Sequence, residues 1–203
     1  MIRNLWSMKL AIVVTAMVIA PITHADVTVS GKYWDLEVDD GVDSGSGELI
    51  GVEISADLSE GTWVHASYMD GDFEGDNLLL YGETDVEVLA GISKGIFDIG
   101  GGVRYTEDAD LGGPTSTYGP AVYIGAEDAI GSTPLGWYAN ASWMFYDVND
   151  DWDWGEHIDL EAGVSATISR FIARVGYRYK THYDRDPDSL TYEGVIGAIG
   201  YSF

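Results

Sequence analysis

Apolar and polar residues alternate along most of the chain from residue 26 to residue 203. Between residues 50 and 58 the even positions carry Ile, Val, Ile, Ala and Leu, whereas the odd positions carry Gly, Glu, Ser and Asp. Because successive side chains of a β-strand point to opposite faces, this period predicts strands with one apolar and one polar face. We identify ten such segments at even spacing and predict an all-β chain of ten strands. Eight strands remain the alternative if the first or the fourth segment is not a strand.

The first segment, Val27 to Val38, departs from strict alternation. Val27, Val29 and Tyr33 share one parity, whereas the apolar residues that follow, Trp34, Leu36 and Val38, share the other. A β-bulge inserts one residue and reverses the parity of the side chains beyond it. We therefore predict a bulge near Tyr33.

The connections between the segments alternate in kind. Short ones follow the even segments, at Ser59-Glu60, Ser93 to Gly95 and Ser169-Arg170, with a medium one at Asp128 to Pro134. Longer, acidic ones follow the odd segments: Asp39 to Ser46, Asp70 to Asn77, Thr106 to Ser116, Asp147 to Gly155 and His182 to Ser189. Aromatic residues also lie near both ends of the apolar faces. This combination is typical of a closed transmembrane β-barrel and not of a soluble sandwich.

Residues 1–25 differ from the rest of the chain. Arg3 and Lys9 precede an apolar run from Leu10 to Ala20, and the small-residue site Thr23-His24-Ala25 follows. This order predicts a secretory signal peptide cleaved before Asp26, which leaves residues 26–203 as the barrel domain. An N-terminal membrane anchor is the alternative, but the run is short for a helix that spans a bilayer.

Charge and composition exclude several kinds of partner and of structure. The chain has 34 acidic and 10 basic residues, a net charge of −24 and no cysteine. Such a charge repels phosphate backbones, so we expect no nucleic-acid partner. Disulfides are excluded, and stability must come from backbone pairing and packing. After residue 25 no apolar run approaches the length of a membrane-spanning helix, so a membrane location would require strands.

The last segment, with Val195, Ile199, Tyr201 and the terminal Phe203 on one face, resembles the C-terminal signature of bacterial outer-membrane proteins. The chain is similar in pattern to small barrels of the OmpA and OmpX type. This resemblance implies export through the periplasm to the outer membrane of a Gram-negative cell, with outer-membrane lipid and lipopolysaccharide as partners. It also implies that the barrel-assembly machinery recognises Tyr201 and Phe203, and that the acidic loops face outward.

The polar faces of the segments carry most of the remaining charges. An Arg or Lys facing lipid costs about 2–4 kcal/mol near the midplane, so these faces should line the lumen. Two interpretations follow: a charge-paired plug that fills a narrow interior, which we favour, and a narrow porin-like channel for ions or solutes. The predicted lumen network comprises Lys32, Glu53, Glu87, Arg104, Asp159, Glu161, Arg174, Arg178 and Lys180, with Asp57, Glu83, Asp85, Asp98 and Glu127 on the same faces.

Two motifs suggest further chemistry. Asp70 to Asp76 and Asp147 to Asp153 place oxygen-bearing side chains at alternate positions, as calcium loops do, although neither completes the EF-hand pattern. Solvated acidic loops are the favoured interpretation, and divalent cations bridging them to lipopolysaccharide phosphates are the alternative. His65-Ala66-Ser67 resembles the His-x-Ser pair of outer-membrane lipid A deacylases, but its flanking residues do not match. We expect no enzymatic activity and no cofactor, and predict a structural or surface-interaction role.

Overall fold

The computed structural model describes residues 26–39, 41, 43–58, 61–75, 80–110, 113–145, 156–183 and 190–203. The predicted signal peptide, residues 1–25, lies outside the described residues. Ten strands follow one another along the chain: β1 (Asp26–Asp39), β2 (Ser44–Asp57), β3 (Thr62–Glu74), β4 (Leu80–Lys94), β5 (Phe97–Asp110), β6 (Gly113–Ala129), β7 (Leu135–Met144), β8 (Glu156–Ile168), β9 (Phe171–Tyr183) and β10 (Leu190–Ser202).

These strands form one closed antiparallel barrel. Each strand pairs with its neighbours in the sequence, and β1 pairs with β10 from Thr28↔Ser202 to Asp39↔Thr191. The prediction of ten strands is therefore confirmed and the eight-strand alternative is wrong. None of the described residues forms a helix long and apolar enough to cross a membrane.

Two ends of the barrel can be distinguished. We call the end that holds the connections β2–β3, β4–β5, β6–β7 and β8–β9 the turn end, and the opposite end the loop end. Gly95 and Ser169 adopt positive φ angles of 67° and 58° in two-residue connections. Left-handed residues in such connections match the twist of the paired strands, which explains these tight hairpins.

The predicted loop from Thr106 to Ser116 is wrong. β5 continues to Asp110 and β6 begins at Gly113, with pairs running from Thr106↔Thr117 to Asp110↔Gly113. Alternation with apolar residues stops there, which predicts a loop, but backbone pairing needs no apolar side chain. β3 likewise extends to Glu74 and includes most of the predicted loop from Asp70.

The predicted bulge near Tyr33 is also wrong. Pairing continues one residue for one residue through Tyr33↔Gly197 and Tyr33↔Ile50 on both sides of β1. The apolar side chains of Trp34, Leu36 and Val38 instead point into the lumen, with exposed fractions of 0 %, 2 % and 0 %. Apolar residues change faces in β1 because the lumen itself has an apolar part.

That apolar part lies toward the loop end, and we call it the loop-end cluster. It packs inward-facing side chains of β1, β2, β3 and β10 against one another, and the tilted rings of Phe73 and Tyr192 have their centroids 5.6 Å apart. Its members are Trp34, Leu36, Val38, Leu49, Met69, Phe73, Tyr192 and Ile196.

Pro120 occupies an interior position of β6. It pairs with Val103 of β5, whereas pairing of β6 with β7 begins one residue later at Ala121↔Met144. Because the short β7 ends at this level, Pro120 faces a local edge where the missing N–H breaks no pairing with β7.

The position of Trp34 can be tested by truncation. Trp34→Ala should lower the free energy of unfolding by about 3–5 kcal/mol, the usual cost of truncating a buried Trp. Tyr33→Ala is the matched control, since that ring is 42 % exposed on the outer wall and its loss should cost much less. Guanidinium unfolding of detergent-folded protein, followed by far-UV circular dichroism, measures both. The reverse order of costs would favour the bulge.

Candidate functional site in the barrel lumen

All nine residues of the predicted lumen network lie on the inward-facing parity of their strands. The alternation of each strand fixes this, because every second residue between lipid-facing apolar positions must point inward. The structure divides the nine, and the other inward charges, into a buried central group and a group nearer the turn end.

We call the buried group the central ion cluster. It contains Glu83, Asp85, Arg104, Asp159, Arg178 and Lys180. Arg104 donates from Nε to Asp85 Oδ1 at 3.0 Å and from Nη2 to Asp159 Oδ2 at 2.7 Å. One guanidinium therefore bridges carboxylates of β4 and β8, and its side chain is 1 % exposed.

A second guanidinium repeats this bridge. Arg178 donates to both oxygens of Asp159, from Nε at 3.0 Å and from Nη2, and Nη2 also donates to Asp85 Oδ2 at 3.1 Å. Two Asp and two Arg side chains thus share their hydrogen bonds. Charge-assisted, forked contacts of this kind are shorter and stronger than neutral ones and hold all four side chains in place.

Lys180 and Glu83 complete the cluster and form an ion pair in which both side chains are 0 % exposed. Lys180 is on β9 and Glu83 is on β4, which lie five strands apart in a ring of ten. The pair therefore joins opposite walls across the lumen. Lys180 Nζ also lies 3.6 Å from Asp85 Oδ2.

The central ion cluster is electrically balanced. Three cationic and three anionic side chains compensate one another, although each is largely removed from water. Burying an unpaired charge is costly, so this balance is the condition under which the lumen can be filled with ions at all.

The loop-end cluster packs directly against these ions. The guanidinium carbon of Arg178 lies 4.6 Å from the ring centroid of Trp34, and Lys180 Nζ lies 5.4 Å from that of Tyr192. Together the two clusters contain most of the large side chains described in the loop-side half of the lumen. The loop-end cluster was not predicted from the sequence, although the change of parity in β1 indicates it.

Toward the turn end the charged side chains are more exposed. Lys32 Nζ lies 3.0 Å from Glu53 Oε2 and 3.9 Å from Glu161 Oε2. Arg174 donates from Nη2 to Glu127 at 3.1 Å. Glu87 accepts a hydrogen bond of 2.6 Å from Ser142 Oγ, and Arg104 Nη1 lies 3.9 Å from its Oε2.

These residues surround a cavity of about 610 Å³ in the turn-side half of the lumen. Its wall includes Lys32, Glu53, Glu161 and Arg174, and residues of the β2–β3 and β4–β5 connections lie at its rim. Among the described residues, side chains pack closely in the loop-side half of the lumen, whereas the turn-side half contains this cavity.

The remaining candidate residues are His65, Ser67, Tyr201 and Phe203. His65 and Ser67 both line the cavity, and Ser67 pairs across the strands with Glu53 and Glu87. Within the described part of the chain, no hydrogen bond joins His65 to Ser67. Tyr201 packs edge to face against both Phe171 and Phe203, at centroid distances of 5.1 Å and 5.0 Å.

The first calcium-like motif does not form a loop up to Glu74. Asp70, Asp72 and Glu74 belong to β3 and point outward on alternate positions, so they cannot wrap around one ion as a loop does. The second motif, Asp147 to Asp153, lies outside the described residues. No group of three or more potential ligands in the described ranges is placed to hold a metal ion.

No protein-family model matches this sequence, and no curated protein does so. Solved structures do match. The chain is similar to the translocator domain of the autotransporter NalP from Neisseria meningitidis, with 13% identity, a TM-score of 0.51, and coverage of 99% of this chain and 96% of that chain. It is also similar to Neisserial surface protein A, with 9% identity, a TM-score of 0.51, and coverage of 88% and 99%. The chain therefore has the fold of a small outer-membrane β-barrel.

The pair across the lumen can be tested by removing one charge and then both. Lys180→Met should lower the free energy of unfolding by about 3–5 kcal/mol, because Glu83 is left as a buried unpaired charge. The double variant Lys180→Met/Glu83→Leu should recover most of that loss. Guanidinium unfolding in detergent measures each value.

Arg174→Met serves as the control, since the Arg174 side chain is 33 % exposed and its loss should cost about 1 kcal/mol or less. Equal costs for Lys180→Met and Arg174→Met would contradict a special role for the buried pair.

Proposed function

We propose that this chain is an integral protein of the bacterial outer membrane, exported through the periplasm, whose lumen is closed by paired charges. Its role is structural or surface-interacting and not enzymatic. Outer-membrane lipid and lipopolysaccharide surround its wall, and the barrel-assembly machinery inserts it by recognising the strand that ends in Phe203. The loop end faces the outside of the cell.

The inverted polarity of the barrel carries this proposal. Its outer wall exposes large apolar side chains, including Ile99 at 57 %, Val103 at 59 % and Ile199 at 73 %. The buried charged side chains of the central ion cluster lie inside. Exposing such a band to water is unfavourable, whereas a bilayer covers it.

Aromatic side chains on the outer wall also support insertion into a membrane. Phe97, Trp137 and Phe171 lie on the outer wall near the turn end, and Tyr118, Trp143 and Tyr177 lie on it nearer the loop end. Girdles of aromatic residues lie at both membrane interfaces of outer-membrane barrels, so two belts of this kind support two interfaces here.

A plug is favoured over a channel because the described inward side chains of the loop-side half are buried against one another. Lys180 and Glu83 meet from opposite walls, and the loop-end cluster occupies the space beside them. The open cavity at the turn end is the observation that keeps a narrow channel as the second candidate.

Membrane insertion predicts a depth-dependent cost for arginine. Ile199→Arg, near the centre of the apolar stretch of β10, should destabilise the vesicle-inserted protein by about 2–4 kcal/mol. Glu193→Arg, on the same face nearer the loop end, should cost about 0–1 kcal/mol. Unfolding in phospholipid vesicles measures both, and equal costs at the two depths would contradict insertion.

A closed lumen predicts no current. Wild-type protein in a planar bilayer at 1 M KCl should give no stepwise conductance. Steps in the wild type, together with an ion selectivity that Arg178→Glu alters, would instead establish the channel. An outer-membrane porin inserted into the same bilayer controls for insertion and detection.

A further inference from the structure

The cavity in the turn-side half of the lumen has the dimensions of a binding site. Its volume of about 610 Å³ falls within the range of roughly 300–1,000 Å³ that is usual for small-molecule sites. Asp159 and Arg178 of the central ion cluster border it on the loop side, and described residues of two turn-end connections line its other end. A ligand could enter from that side without moving a strand.

Glycines on neighbouring strands keep this cavity open. A Cβ atom at Gly91 would lie 2.4 Å from Cζ2 of Trp63, and one at Gly100 would lie 2.6 Å from its Cη2. The indole therefore lies flat along the wall, over two positions that have no side chain. Tyr138 lies in the same way over Gly176, where a Cβ would be 2.5 Å from the phenol oxygen. Trp63 thus lies along the wall of the cavity and does not cross it.

One row of cross-strand neighbours builds an aromatic wall beside a carboxylate. Asp57 pairs with Trp63, and the row continues through Gly91 and Gly100 to Tyr123. The rings of Trp63 and Tyr123 meet edge to face at 5.4 Å. Trp63 is 9 % exposed, and its indole N–H has no hydrogen-bond partner within the described part of the chain.

The cavity is also strongly anionic. Seven carboxylate side chains and three cationic ones line it, and the three cations already pair with Glu53, Glu127 and Asp159. Asp57 and Asp98 form no ion pair with any described residue, although Asp98 accepts a hydrogen bond from Ser93. A concave site lined by one sign of charge concentrates ligands of the other sign.

We propose that this cavity binds a small organic cation, an aliphatic amine or diamine, that enters from the turn end. Its ammonium groups pair with Asp57 and Asp98, and its apolar part packs against Trp63, whose ring attracts cations as well as apolar groups. The cavity would bind such a ligand whether or not the lumen conducts, so this proposal stands apart from the closed-barrel function.

Isothermal titration of detergent-folded full-length protein with putrescine, at 150 mM NaCl, tests the proposal. We expect saturable binding of one diamine per chain, and none of succinate, which has the same length and the opposite charge. Asp57→Asn/Asp98→Asn should weaken putrescine binding at least tenfold. These substitutions remove repulsion and should leave the fold intact.

The matched control is Asp35→Asn/Glu48→Gln, which removes two facing carboxylates from the outer wall and should change the affinity less than twofold. Gly100→Leu should abolish binding by displacing Trp63; because its Cβ would also meet the backbone oxygen of Ala90 at 2.6 Å, its far-UV circular dichroism must match that of the wild type. Gly101→Leu, on the outer wall, should not.

Three results would overturn the proposal: no saturable binding of putrescine, equal binding of succinate, or equal weakening by the outer-wall pair. The last would show only attraction to an acidic protein.

Discussion

Pairing of β1 with β10 is the constraint on which the rest of this structure depends. It removes both free edges of the sheet and encloses every second side chain of ten strands in one lumen. Side chains that would face water in an open sheet must then find partners inside. The central ion cluster is the consequence: Asp85 and Asp159 are shared between Arg104 and Arg178, and no member could be buried without the others.

The two halves of the lumen differ because their inward residues differ in size. Toward the loop end, Trp34, Phe73 and Tyr192 occupy the space that the ions leave. Toward the turn end, glycines take many of the inward positions and allow the rings of Trp63 and Tyr138 to lie against the wall. The difference in packing between the two halves of the described lumen therefore reflects which inward side chains each half contains.

Sequence reasoning predicted the features that depend on local alternation and missed those that depend on distance across the lumen. The period of two predicted ten strands and the inward faces of Arg104, Arg178 and Lys180. It could not predict that Lys180 pairs with Glu83, because the two are 97 residues apart and on opposite walls. The same period gives a wrong prediction in β1, where it implies a bulge near Tyr33, whereas Trp34 keeps its parity and points into the lumen. Strand ends at Asp110 and Gly113 were missed because polar residues continue a ladder as readily as apolar ones.

Charge on the outer wall limits how far a membrane can extend along the barrel. Asp35, Glu48 and Asp72 are direct cross-strand neighbours on β1, β2 and β3, and all three point outward near the loop end. Like charges placed opposite one another destabilise a sheet, and hydrocarbon would make that repulsion stronger. The proposed bilayer must therefore end below this row, so that the carboxylates remain in water or among lipid headgroups. On the same strands the apolar positions Tyr33, Ile50 and Tyr68 lie closer to the turn end, which places the membrane on that side of the row and the acidic rim outside it.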